Sequence, residues 1–87
     1  MKKGQIVFSK KGRDKGKAFV VMHFDEPYVF LVDGKLRTLD KPKKKKVMHI
    51  QPTNSFANLA TDGRALQDAD IRKEITKYLA KISQPIG

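Results

Sequence analysis

Lys10-Lys11-Gly12-Arg13-Asp14-Lys15-Gly16-Lys17 stands between two apolar runs, Ile6 to Phe8 and Ala18 to Val21. Two glycines bracket a tight turn loaded with five positive side chains and one carboxylate. A strand-to-strand turn fits this pattern, because glycine reaches positive φ without a Cβ clash and lets the backbone reverse sharply. Such a reversal holds the backbone close to whatever the cations attract, so the segment reads as a phosphate-facing loop. A solvated turn is the plain alternative.

Working outward, Gln5 to Lys10 is rich in strand formers and predicts a first strand. Lys17 to Phe24 is nearly continuous Phe, Val and Met, too short for a helix, and Asp25-Glu26-Pro27 closes it as a turn. Tyr28 to Asp33 predicts a third strand, and Asp33-Gly34 is a strong hairpin signal that leads directly into a fourth, Lys35 to Leu39. Asp40 to Lys46 reads as an exposed basic loop, since its like charges repel and Pro42 is unsuited to mid-sheet pairing. Val47 to Gln51 predicts a fifth strand that ends at Pro52. Five short strands within about fifty residues, in a chain too small for a two-sheet sandwich, predict a mainly β fold: a small, closed or nearly closed five-stranded barrel.

The expected organisation is a barrel over residues 1–52, a linker over 53–67 that touches it through Phe56, Leu59 and Leu66, and an amphipathic helix over 68–83. In the helix, Ile71, Ile75, Tyr78, Leu79 and Ile82 fall on one stripe with Arg72, Lys73, Lys77 and Lys81 outside it. Asp68 or Asp70 can cap its start, and Pro85-Ile86-Gly87 should stop it. Packing on the barrel is the first reading of that stripe. Docking a protein partner and lying on a membrane surface follow.

At 87 residues the chain is one small domain. It has no cysteine, which removes disulfides, thiolate metal sites and cysteine nucleophiles and suits a reducing compartment. No apolar run of signal length follows the basic start, and none approaches a bilayer span, so a cytosolic location is expected, without membrane attachment. Charge is unevenly placed: residues 1–50 hold fourteen bases and five acids, a net +9, against +1 for the remainder. Such a field attracts polyanions, nucleic acid before an anionic membrane.

The segment Gly4 to Met22, GQIVFSKKGRDKGKAFVVM, resembles the KOW motif, in which a strand, a basic loop with a fixed glycine and a second strand form part of an SH3-like barrel. Gly16 matches the fixed glycine. VFLVDGK (Val29 to Lys35), a basic loop and VMHIQPT (Val47 to Thr53) follow in an order similar to that of the KOW-containing large-subunit ribosomal proteins called fourteen-e in archaea and eukaryotes. The C-terminal helix departs from the long extensions of eukaryotic members, so small stand-alone KOW proteins of bacteria are the nearest type. The resemblance implies an SH3-like barrel that binds RNA, usually ribosomal RNA. Lys10, Lys11, Arg13, Lys15 and Lys17 then occupy the motif's basic positions, and Lys43 to Lys46 lie where the family has a basic connection.

Each basic element also has a plainer reading. The lysine run Lys43, Lys44, Lys45 and Lys46 would protect a barrel edge from pairing as well as touch RNA, and PKKKKV looks like a nuclear import signal, a pattern common by chance. Arg37 either extends the basic surface or faces water. Phe8, Phe19, Phe24, Tyr28 and Phe30 sit in apolar runs that a small barrel needs for its core, so recognition should rest on phosphate and shape with weak base preference.

Enzyme readings find little support. Gly12-x-x-x-Gly16-Lys17 is one residue short of a P-loop, and Ala18 stands where Ser or Thr would hold magnesium. His23 and His49 lie on separate predicted strands without ligand-spaced partners. The expectation is a non-enzymatic, cofactor-free RNA-binding protein of the translation machinery, with ribosomal or transcription proteins as further partners and no small-molecule substrate. The alternative is an adaptor whose barrel or helix docks an acidic protein.

Overall fold

Consecutive apolar residues on a strand point to opposite faces, so an unbroken apolar run needs burial on both sides. The structure, a computed structural model that describes residues 1–83, supplies both coverings. Strands β1 (Gln5–Ser9), β2 (Ala18–Asp25), β3 (Tyr28–Val32), β4 (Lys43–Lys46) and β5 (Ile50–Phe56) form one antiparallel sheet in the order β4-β3-β2-β1-β5, and helix α1 spans Asp68–Ile82. The sheet curls so that Val7, Phe19, Val21, Val29, Leu31 and Ile50 fill its inside. On its outside, Ile6, Ala18, Val20 and Val32 meet Ile71 and Ile75 of α1. The result is mainly β: a small SH3-like five-stranded barrel, open between β4 and β5, with a C-terminal helix packed on one face.

A radius of gyration of 12.7 Å, against about 12 Å for a compact chain of this length, leaves no room for a trailing helix. Ile71 is fully buried and Ile75 nearly so, while Leu79 and Ile82 at the other end are 40% and 53% exposed. The expected stripe is therefore fully covered over the first half of α1 and only partly beyond it, through Tyr78, which packs on the helix-side core near Phe8. The start of α1 docks on the turn after β3, where Arg72 Nη1 donates to the Gly34 carbonyl at 2.6 Å. Asp70 accepts the Gln67 N–H at 2.9 Å and closes the first turn. Asp68 turns to the barrel instead and accepts the Leu39 N–H at 2.8 Å. The expected stop at Pro85 to Gly87 lies outside the described residues.

Three sequence expectations need correction. Lys35 to Leu39 is not a strand: the Asp33 carboxylate accepts both the Lys35 and Arg37 N–H groups at 2.8 and 2.9 Å and folds the segment onto itself, with Leu36 78% exposed. The fourth strand is the lysine run, Lys43 pairing with Leu31 and Lys45 with Val29. Nor does the last strand end at Pro52. Val47–His49 is a single 3-10 turn, and β5 continues from Ile50 through Pro52 to Phe56, into the expected linker. Pro52 is tolerated because β5 is an edge strand, where a missing N–H costs no second ladder. Beyond it Leu59 and Leu66 pack on the helix-side core as expected, whereas Phe56 is 53% exposed.

Candidate nucleic-acid interface

The basic loop is a closed structure rather than a flap. Ser9 N–H donates to the Lys17 carbonyl at 3.1 Å, Gly16 N–H to the Ser9 carbonyl at 2.8 Å, and Lys17 N–H to the Asp14 carbonyl at 2.9 Å. Lys10 N–H donates to the His49 carbonyl at 2.8 Å and anchors the loop to the 3-10 turn. Gly12 and Gly16 both carry positive φ, as the reversal requires. The backbone bonds thus spent internally leave the side chains to solvent: Lys10, Lys11, Arg13, Lys15 and Lys17 are all exposed.

Asp14 is the acid inside this ring of cations. Its carboxylate takes Lys43 Nζ at 2.7 Å and Lys17 Nζ at 3.8 Å. The Lys43 hydrogen bond holds its carboxyl below the usual range, against burial, which pushes the other way. Lys45 crosses to the same loop, donating to the Ser9 hydroxyl and to the Lys11 carbonyl, the latter at 2.7 Å. Lys43 and Lys45 therefore spend their ammonium groups stapling β4 to the loop across the open side of the barrel. Lys44 and Lys46, on the opposite face, are exposed. The expected exposure of the whole run is thus half right, for strand alternation sorts it into two inward and two outward lysines.

The charges that remain are concentrated. His49 is pushed below its ordinary value first by desolvation and then by Lys11, Lys45, Lys46 and Lys10, so both basic segments crowd one place. Among the described residues Lys10, Lys11, Arg13 and Lys15 form no ion pair, and of the cations only Lys17, Lys43, Arg64 and Lys77 pair with an acid there. Arg37 is not among the cations that act on His49. It is half-buried in the Asp33 to Arg37 turn, its carbonyl accepting the Asp33 and Gly34 N–H groups.

No family model matches this chain, and no curated protein matches it. The surface itself must therefore carry the functional reading. Gly16-Lys17 runs straight into β2 with no helix behind it, and no cluster of three His, Cys or acidic residues occurs among the described residues. No helix among them is long and apolar enough to cross a membrane. What the arrangement offers is a hydrogen-bonded cationic ridge whose Lys10, Lys11, Arg13 and Lys15 have no acid partner among the described residues.

Sequence reading missed two features of the ridge. The inward lysines have a structural task that only the register exposes. Of the aromatic side chains expected in the core, only Phe19 is fully buried; Phe8, Tyr28 and Phe30 are half-buried and Phe24 is 36% exposed.

Proposed function

We propose that this protein binds structured RNA through phosphate contacts from Lys10, Lys11, Arg13 and Lys15, extended by Lys44 and Lys46, and performs no catalysis. The observation that carries the reading is the unpaired state of those loop cations on a hydrogen-bonded turn, beside a histidine that four lysines crowd. Elsewhere acids and bases could balance; here a charge this dense needs an anionic partner of matching density, and a ribose-phosphate chain supplies it. The KOW resemblance of Gly4 to Met22 supports RNA over DNA and suggests ribosomal RNA, hence a cytoplasmic role in translation or on the ribosome.

The test is binding of an RNA hairpin across a salt series. Replacing Lys11, Arg13 and Lys15 with Ala should lower affinity more than tenfold at low salt and flatten the slope of log K against log salt by about 2 to 3. An unchanged slope would overturn the proposal.

One observation favours a second reading, the adaptor. A groove of about 420 Å³ beside the loop is lined by Leu36, Ile75 and Leu79 and rimmed by Lys17, Lys35 and Arg72, a surface suited to an acidic peptide with apolar anchors. If RNA affinity is negligible in the salt series, this groove becomes the leading site.

A further inference from the structure

Alternation along β3 places Val32, Phe30 and Tyr28 on the outer face. Val32 lies under α1, but the helix stops short of the other two. The registers set His23 and Phe30 opposite one another with Lys44 beyond, and next to them Asp25, Tyr28 and Lys46. The His23 and Phe30 rings lie 5.5 Å apart at 45°, and Lys44 Nζ sits 4.2 Å from the centroid of the Tyr28 ring. His23, Lys44 and Lys46 are exposed, and the two rings are half-buried. The interior at this level is built by Val29 and Leu31 instead, so the core does not account for the aromatic pair.

This face is linked to the basic loop through one turn. Pro27, at the tip of the β2–β3 hairpin, accepts the Val47 N–H at 2.9 Å, and His49, at the other end of the same 3-10 turn, accepts the Lys10 N–H. The aromatic patch and the loop thus flank one turn. β4 serves both, with Lys43 and Lys45 reaching to the loop and Lys44 and Lys46 bordering the rings.

We propose that Phe30 and Tyr28, framed by His23, Lys44 and Lys46, form a stacking site for an unpaired base of the RNA whose phosphates the loop holds. Two rings with adjacent cations on a strand surface offer a base its π-face partner and its phosphate a counter-charge. The inference rests on the RNA reading above and sharpens it. The ligand is an RNA with a bulge, loop or single-stranded tail, not a plain duplex, and base contact is stronger than the sequence suggested. The competing account is that the rings only stabilise cross-strand pairs.

The experiment compares the full chain bound to a blunt RNA duplex and to an RNA hairpin of equal phosphate count carrying 2-aminopurine in its loop. Expected is quenching of the fluorescent base and roughly tenfold tighter binding of the looped RNA. Phe30→Leu and Tyr28→Leu should remove quenching and preference together while leaving duplex affinity and salt slope unmoved. Lys44→Ala, at an exposed position, should lower the preference without a folding risk. Equal binding of both RNAs without quenching, or quenching that survives both leucine variants, overturns the stacking site and leaves the phosphate reading standing. Absence of binding to either RNA overturns both.

Discussion

Under the RNA-binding proposal, Asp14 would work against binding while it works for the fold. Its bonds to Lys43 and Lys17 fasten the loop to β4 and mask two cations. Because its folded carboxyl titrates below the unfolded one, the folded chain binds fewer protons in acid. Its stabilising contribution is therefore complete above about pH 4 and lost as the pH falls through the folded value. Asp14→Asn should cost about 1 kcal/mol at neutral pH and flatten the acid limb of stability, measured by urea unfolding at several pH values. The same variant should bind RNA severalfold more tightly, since Lys43 and Lys17 are released. Equal or weaker RNA binding would mean that phosphate does not reach this cluster. Two glycines separate resemblance from packing in a similar way. Gly16, the position matching the KOW glycine, has φ +85° and open space around it, so Gly16→Ala should cost only the left-handed backbone penalty of about 1 kcal/mol. At Gly34 an added Cβ would lie 2.4 Å from the Asp68 carbonyl oxygen and 2.8 Å from Arg72 Cγ. Gly34→Ala should therefore push the helix off its seat and cost about 2 kcal/mol or more, with thermal unfolding as the measure.

The strands β1 to β3 were legible because each reads as an apolar run bounded by turn residues, with Ile6, Val7, Phe19, Val20, Val21, Leu31 and Val32 all buried. β4 was not legible. Its inward face is covered by the aliphatic stems of Lys43 and Lys45, whose ammonium groups end on oxygens of a loop about thirty residues away. A run of four lysines carries no hint of that pairing, so charge repulsion dominated the sequence reading. The segment Lys35 to Leu39 misled in the opposite sense, since Leu36 and Arg37 alternate like a strand while the Asp33 carboxylate coils the chain. Nor could the outward placement of His23 be foreseen, because it depends on a register shift between Val21 and His23 that leaves Met22 unopposed. The two faces of β4 make a clean test. Lys43→Met with Lys45→Met keeps the stems and removes the staples, so amide exchange across Lys10 to Lys17 should quicken and stability should fall. Lys44→Ala with Lys46→Ala should leave stability within about 0.5 kcal/mol and weaken RNA binding instead. If both pairs behaved alike, the sorting of the run into structural and binding lysines would be wrong.

Over the whole molecule, folding gathers Lys10 and Lys11 of the loop and Lys45 and Lys46 of β4 around His49, and under the RNA-binding proposal that histidine would report whether RNA occupies the ridge. In the free protein, desolvation and the charges of Lys11, Lys45, Lys46 and Lys10 keep its imidazole neutral below the pH at which an ordinary histidine would protonate. The unfolded chain therefore binds more protons than the folded one below about pH 6.5, and free-protein stability should decline as pH drops through that region. Bound RNA would reverse the balance. Phosphates that neutralise the four lysines remove the repulsion, raise the affinity of His49 for a proton and draw one in on binding. Affinity for an RNA hairpin at constant salt should thus rise between about pH 7 and pH 5.5 while the stability of the free protein falls. Calorimetry in buffers of different ionisation enthalpy should record fractional proton uptake near pH 6. His49→Gln should abolish the uptake and most of both pH slopes while leaving binding at pH 7.5 intact, since the imidazole is neutral there. Proton uptake that persists in His49→Gln would assign the linkage elsewhere. Its absence in the native chain, with RNA bound, would mean that the phosphates settle away from the place where Lys10, Lys11, Lys45 and Lys46 converge.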